Sequence, residues 1–376
     1  MFDALILRDL GKTGLKVGEI GLGTEHLKRA KKETIVSIVD KAIDNGVNYF
    51  DILFNFSVYL KNFGAAFQER RDQVILTSHL GSADRNGQYF KTRSVKKCES
   101  TFLGALSMLG TDYFDIINVH YVKDMKEFEE VSSDHGVLEL AHRLRDEGKA
   151  RLVGISTHDV SVVEKAAESG RFDVVTFQVN MANNALRGRN EALAACAREG
   201  VGLVAMKPFA GGYLLRQGKT VGIAPIRKGG GKRVKLKIPS YMTPTHCLAY
   251  VLSQIGVSTT IPGVRSTEEL DGILSYINST AKEKDYSEIL NNFNEYKTGQ
   301  CVYCNHCLPC PSEIDIGEVT RLLDIAEFPV TEEVKTKYTN LQFKASQCTK
   351  CGVCVDRCPF EVDIVSNMEK AVDLLE

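Results

Sequence analysis

From residue 15 to about 275, short apolar runs alternate with segments whose apolar residues recur every three or four positions. The runs are Glu19–Gly23, Tyr49–Asp51, Val74–Ser78, Phe114–His120, Ala150–Ser156, Val174–Val179, Gly202–Met206 and Thr259–Pro262. They are near-continuous rather than alternating, as expected of parallel strands covered on both faces. The segments between them read as helices. In Thr34–Gly46 the apolar spacing is helical, and Asn45-Gly46 supplies a C-cap. Eight such strand–helix units over ~250 residues predict an α/β fold, a (β/α)8 TIM barrel. An open doubly wound sheet is the alternative, but no GxGxxG follows the first strand. The opening segment, Ile6–Val17, predicts a β-hairpin turning at Lys12-Thr-Gly14 and capping the barrel bottom.

Composition narrows the function classes. The chain has 376 residues, with 47 Lys+Arg against 48 Asp+Glu and a formal net charge of −1. That length suits one barrel plus a small second domain. The balanced charge gives no footprint for nucleic acid. No apolar run approaches the ~18 residues of a membrane helix. The first residues, Met1–Arg8, lack the apolar core of a signal peptide. A cytoplasmic protein with neither nucleic-acid nor membrane partners is the expectation.

The cysteines carry the strongest chemical signal. Of 11, Cys98, Cys196 and Cys247 are scattered through helical patterns and read as inert buried thiols. The other eight fall between residues 301 and 358, which is not the spread of a disulfide framework. Cys301-x2-Cys304-x2-Cys307-x2-Cys310-Pro311 is followed by Cys348-x2-Cys351-x2-Cys354-x3-Cys358-Pro359. Three closely spaced thiolates wrap one corner of a cubane, and the cysteine before proline reaches the other cluster. This predicts two [4Fe–4S] clusters, one on Cys301, Cys304, Cys307 and Cys358, the other on Cys348, Cys351, Cys354 and Cys310. Zinc, which also uses C-x2-C pairs, is the competing metal. His306, inside the first run, reads as a neighbour rather than a ligand. With a helical stretch at Ile316–Ala326 between the runs, residues 286–376 predict a mainly helical, ferredoxin-like domain beside a barrel of residues 1–285.

The barrel segments resemble the aldo/keto reductase superfamily. The resemblance rests on Leu10–Val17 with Ile20–Thr24, on Asn45–Asp51, on Leu109–His120 and on Val257–Gly263, in that order. The cysteine-rich tail is similar to that of one branch of the superfamily. The resemblance implies a catalytic Asp, Tyr, Lys and His at the C-terminal ends of neighbouring strands. Asp51 matches the Asp and His120 the His. Phe56 stands at the tyrosine position, and Thr77-Ser-His79 replaces the lysine. A hydride transferred to a carbonyl needs a positioned acid, and phenylalanine has no proton to give. His79, His120 and His158 remain as donors, while Tyr59 stands three positions late. The expected catalytic set is Asp51, His79 and His120. Asp51, His79, His120 and His158 end four strands, and either hold Zn or Fe or form a metal-free polar wall.

The resemblance also implies a nucleotide site. Ser156 and Gln178 match positions that hold a nicotinamide carboxamide, and Lys207, Gly263 and Arg265 lie on loops that bind phosphate. NADP(H) is the implied cofactor, but Gly272-Ile273 replaces the pair that grips adenine, which leaves FMN or a phosphorylated substrate as alternatives for the same place. The insertion Arg216–Lys237 holds eight basic residues and no acidic one, a flap over an anionic ligand or a solvated loop. These features predict an oxidoreductase that couples chemistry on a small organic substrate to single-electron relay, with an external carrier such as ferredoxin. A non-catalytic barrel serving as an electron-transfer scaffold is the alternative.

Overall fold

The computed structural model describes residues 5–183, 186, 188–223, 234–286, 289, 299, 301, 307–326, 330, 332–358 and 361–376. The strands are β1 (Leu7–Asp9), β2 (Lys16–Gly18), β3 (Leu22–Gly23), β4 (Tyr49–Ile52), β5 (Ile75–Leu80), β6 (Ser82–Arg85), β7 (Gln88–Lys91), β8 (Phe114–Val122), β9 (Ala150–Thr157), β10 (Val174–Gln178), β11 (Gly202–Met206), β12 (Thr220–Ile223), β13 (Val234–Lys237) and β14 (Val257–Ile261). The parallel path runs β3-β4-β5-β8-β9-β10-β11-β14. Parallel bridges Ile20↔Thr260 and Gly23↔Gly263 bring its two edges together into a barrel. The eight apolar runs read from the sequence are these eight strands.

The barrel interior begins with an apolar layer of Tyr49, Ile75, Ile116, Val174, Val204 and Ile261. Leu10 and Val17 of the β1–β2 hairpin plug it from below, which is the predicted bottom cap. Toward the mouth the layers turn polar. Thr77 donates to the Tyr49 hydroxyl at 2.7 Å, and Asn118 Nδ2 donates to Thr176 at 3.1 Å. Branched side chains on the outer strand faces pack under the helices, burying most of the apolar surface that drives folding. Helix α1 (Lys32–Asp44) ends at Asn45 with Gly46 at φ +87°, as its sequence predicts. Helix α2 (Ser57–Phe67) crosses α3 (Val95–Leu109) closely at Gly64, where an added Cβ would stand 2.7 Å from the Leu109 carbonyl.

Two hairpins interrupt the barrel. One, β6–β7, follows the third barrel strand and turns at Asn86-Gly87, both at positive φ. Asn-Gly is the favoured pair for a two-residue hairpin turn. The sequence reading passed over it. The other, β12–β13, lies in the basic insertion after the seventh strand and pairs Thr220 with Lys237. Residues 224–233 of that insertion lie outside the described residues.

The C-terminal region is helical where described: Ile316–Ala326, Glu332–Thr339, Val353–Arg357 and Ile364–Leu375. It sits on the mouth end of the barrel. Lys28 Nζ stands 3.5 Å from Asp315, Arg216 donates to the Asp324 carbonyl at 3.4 Å, and the Tyr213 hydroxyl donates to the Asp324 carboxylate. Among the described residues no helix is long and apolar enough to cross a membrane.

Candidate active site at the barrel mouth

Strand ends bring the candidate catalytic groups together. Asp51 lies next to the end of β4, His79 near the end of β5, and His120 near the end of β8. Asp51 Oδ1 is 2.8 Å from His79 Nε2, and His79 Nδ1 is 3.1 Å from His120 Nδ1. His120 Nε2 is in turn 2.6 Å from the Tyr89 hydroxyl. His79, His120 and Tyr89 are 4%, 1% and 3% exposed. Both ring nitrogens of each histidine are therefore taken up by side-chain partners. Among the described residues no group of three or more His, Cys, Asp or Glu side chains is arranged to hold a metal ion.

His120 owes its aim to a backbone irregularity. The β8–β9 register shifts between Val119 and Val122, and Tyr121 takes φ +35°. Bulges of this kind redirect side chains near active sites. The bulge is held from both sides. Ser156 Oγ accepts from the Tyr121 amide at 2.8 Å, while Arg93 donates to the carbonyls of His120 and Tyr121 at 2.8 and 2.9 Å. Arg93 and Lys91 both pair with Glu127, which fixes the clamp.

These strand ends open into a cavity of about 300 Å3. Asp51, His79, His120 and His158 line one side of it. Lys207, Gly211, Gly212, Gly263 and Arg265, from the loops after the seventh and eighth strands, line the other. Gly211 and Gly212 lie at φ +69° and +88° and leave bare backbone on this loop, whereas a Cβ on Gly263 would stand 2.7 Å from the His26 ring, so that glycine makes room for the histidine. Gly272 and Ile273 also face the cavity, and a side chain added at Gly272 would meet nothing within 4 Å. The lining thus carries two cations, Lys207 and Arg265, beside the carboxyls of Glu25 and Glu269, with bare glycine backbone and the apolar Ile273. Those residues fit a phosphorylated nucleotide. Ser156 lines the cavity; Gln178 is buried at the end of β10, outside that lining.

Electrostatics separates the histidines. Burial, then Lys207 and His120, hold His158 far below the ordinary imidazole range, so it stays neutral. Burial, then Arg265 and Lys28, lower His26 to about 3. Neither is an acid near neutral pH. The Glu25 carboxyl, which also lines the cavity, is instead pushed up by burial against the opposing pull of Lys207 and Lys28. A carboxyl raised this way can donate a proton where an ordinary one cannot. Sequence reasoning passed over Glu25; its only signal was an acidic side chain directly after the first barrel strand.

The two tyrosine positions are settled by packing. Phe56 precedes α2, stacks on Phe54 at 5.0 Å and faces a second cavity rather than the mouth. Tyr59, on α2, is buried with its hydroxyl on Thr24, and burial raises its pKa. The second cavity, about 330 Å3, lies between this corner of the barrel and the C-terminal region, with Phe56, Tyr59, Tyr89, Leu308, Ile314 and Asp315 in its wall.

In the C-terminal region, Cys310, Cys348, Cys351 and Cys354 line one small concavity, with Ile314, Ile316 and Met368 as its apolar wall. Burial, then the neighbouring Cys310, Cys348 and Cys351, push the Cys354 thiol up to about 11. The Lys350 amide donates to Cys348 Sγ at 3.4 Å. Four facing sulfurs with an amide directed at one of them fit a cluster held by thiolates. Of the other expected set, Cys301, Cys307 and Cys358 are described, while Cys304 lies outside the described residues, as does His306. Cys98, Cys196 and Cys247 are buried, and burial raises all three thiols, to about 11 and about 12 for the first two.

A parallel barrel with a polar C-terminal mouth and a cysteine-rich helical region beside it has the architecture of an oxidoreductase joined to an iron–sulfur domain. The comparisons with known proteins agree. Residues 19–291 match the aldo/keto reductase family and residues 300–363 match the 4Fe-4S dicluster domain, so the chain belongs to the aldo/keto reductase family and carries a dicluster domain. It is 25% identical over 279 residues to the uncharacterized oxidoreductase YqkF of Bacillus subtilis, covering 70% of this chain and 88% of that one. It is also 25% identical over 288 residues to L-galactose dehydrogenase of Arabidopsis thaliana, covering 70% and 86%. The holo form of aldo-keto reductase AKR11C1 from Bacillus halodurans superposes with a TM-score of 0.61 at 21% identity, covering 76% of this chain and 96% of that one.

Proposed function

We propose that the barrel mouth binds a phosphorylated nucleotide, with NADP(H) first, next to a small carbonyl or hydroxyl substrate. We further propose that this redox site exchanges electrons with two [4Fe–4S] clusters in residues 286–376. The observation that carries the reading is the mouth cavity itself. Asp51, His79 and His120 face Lys207, Gly263 and Arg265 across about 300 Å3. Lys207 and Arg265 would neutralise phosphate, and the bare backbone at Gly211 and Gly212 would let it approach. Asp51 and the two histidines would hold the substrate oxygen and exchange its proton. Ser156, which lines the cavity and holds the bulge that aims His120, would set the neighbouring wall. A bound nicotinamide supplies hydride, and bound clusters supply one-electron transfer.

FMN is the second reading. One-electron clusters beside the mouth favour a cofactor that exchanges electrons singly or in pairs. For the clusters, Cys301, Cys304, Cys307 and Cys358 would bind one, and Cys310, Cys348, Cys351 and Cys354 the other. Cys351, of that second proposed set, is exposed at the surface. An external one-electron carrier such as ferredoxin would dock there, in the cytoplasm.

Titration of the anaerobic holoprotein with NADPH and, separately, with FMN tests the mouth. At least one is expected to bind, and Arg265→Ala should weaken it about 5- to 100-fold, the loss of one charge-assisted contact. The Arg265 side chain is half exposed, so the fold should tolerate the change. Absence of binding by both nucleotides, or full affinity in Arg265→Ala, would contradict the reading.

A further inference from the structure

The turn Ala210–Leu215, after the seventh barrel strand, brings Gly211, Gly212 and Leu215 to the mouth cavity. Its backbone is held in costly geometry. Lys207 and Ala210 lie at φ +59° and +48°, where a side chain is strained, and Gly211 and Gly212 follow at φ +69° and +88°. Residues in such conformations persist only where the surrounding structure over-determines them. Within the turn, the amides of Gly212 and Leu214 donate to the Phe209 carbonyl at 2.9 and 3.3 Å, and the Arg216 amide donates to Tyr213 at 3.2 Å. A short 3-10 turn with such bonds is weak by itself. From the barrel side, Asn180 Nδ2 holds the Lys207 carbonyl at 3.1 Å.

The far end of the turn is tied to the C-terminal region. The Tyr213 hydroxyl donates to the Asp324 carboxylate, and Arg216 donates to the Asp324 carbonyl at 3.4 Å. The Arg216 guanidinium also lies over the buried Tyr213 ring, 4.5 Å from its centre. Asp324 belongs to the helix Ile316–Ala326, whose other end is tied as well. Asp315, directly before that helix, lies 3.5 Å from Lys28 and 3.9 Å from Arg29, on the loop after the first barrel strand. Its neighbours Ile314 and Ile316 form part of the wall around Cys310, Cys348, Cys351 and Cys354. The helix therefore joins the cysteine concavity to two loops of the barrel mouth. Neither Tyr213 nor Asp324 is among the residues lining the mouth cavity.

We propose that Asp324 and Tyr213 are positioning residues for the nucleotide: through them the helix Ile316–Ala326 holds the turn Ala210–Leu215 in its binding shape, so that affinity at the mouth is set from the C-terminal region. The proposal rests on the reading of the mouth as a nucleotide site and adds what keeps that site formed. A turn already held in place gives up little freedom when a phosphate arrives. Released from Asp324, the strained backbone relaxes, and only part of the population keeps the binding shape. Apparent affinity falls by that fraction, so a turn formed one-tenth of the time binds about tenfold more weakly. Neither residue touches the nucleotide; both act through the backbone of Gly211 and Gly212.

Two measurements on the anaerobic holoprotein test this: hydrogen–deuterium exchange without nucleotide, and titration with NADPH and with FMN. Asp324→Ala should speed exchange at the Gly212, Leu214 and Arg216 amides and weaken whichever nucleotide binds about 10-fold, with iron content unchanged. Tyr213→Phe, which removes one hydroxyl and leaves the C-terminal region intact, should do the same. Asp324→Asn keeps an acceptor oxygen for Tyr213 and should restore wild-type exchange and affinity. Because both residues act through one contact, the double variant Asp324→Ala with Tyr213→Phe should bind no more weakly than either single variant. Wild-type exchange in Tyr213→Phe overturns the proposal, and so does faster exchange with full affinity. Iron loss in Asp324→Ala together with wild-type binding by Tyr213→Phe also overturns it, since Asp324 then only stabilises its own region. If the wild type binds neither nucleotide, the nucleotide reading fails, and the hold of Asp324 on the turn is decided by exchange alone.

Discussion

Replacing Cys354 by alanine should cost the anaerobic protein about half of its iron, from about eight per chain to about four. Cys354 is buried among Cys310, Cys348 and Cys351, and no described group nearby offers a fourth sulfur in its place. The thiolate-to-iron absorbance should fall by about half. Because metal binding in a small unit is also folding free energy, the C-terminal region should lose protection from proteolysis while the barrel, packed around its own core, keeps its melting transition. Iron and sulfide analysis with limited proteolysis checks this. Stoichiometric zinc without sulfide in the wild type would contradict it, as would full iron in Cys354→Ala.

The second large effect concerns simple aldehydes. Reduction with NADPH alone should run about 10²- to 10⁴-fold below what a directly positioned acid supports. Phe56 carries no proton, and the Tyr59 hydroxyl is committed to Thr24. Phe56→Tyr should not rescue the rate by itself, since that ring stacks on Phe54 and faces the second cavity. Asp51→Asn should remove the residual activity, because it takes away the only carboxylate in contact with His79 among the described residues. Steady-state rates for a panel of aldehydes check all three. Brisk wild-type turnover, or a Phe56→Tyr variant faster by a hundredfold, would contradict this picture of the mouth.

The barrel was legible because its strands are buried on both faces, and continuous apolar runs of the right length admit few other arrangements. The β1–β2 hairpin and the helix at Ile316–Ala326 were likewise local patterns. The cysteine runs were legible because cluster ligation is written in short spacings. The mouth was half legible. Asp51, His79 and His120 follow from strand ends, which chain order alone supplies. Tyr89 does not, because the β6–β7 hairpin is short and polar and only Asn86-Gly87 marks it. Its partner His120 lies 31 positions away. The bulge at Tyr121 and the use of Ser156 to hold it are tertiary facts with no sequence period. Glu25 was missed because its raised carboxyl depends on burial, a property of the assembled mouth.

In the proposed function the barrel mouth and the C-terminal region form one redox system. The direct test is to reduce the clusters of the anaerobic holoprotein chemically, remove the excess reductant, and add the oxidised form of whichever nucleotide binds. The predicted result is recovery of the oxidised cluster absorbance together with reduction of the nucleotide, slowed in Arg265→Ala. A nucleotide that binds at the mouth while the clusters stay reduced for as long as they do without it would contradict the coupling and leave the barrel and the clusters as independent sites on one chain.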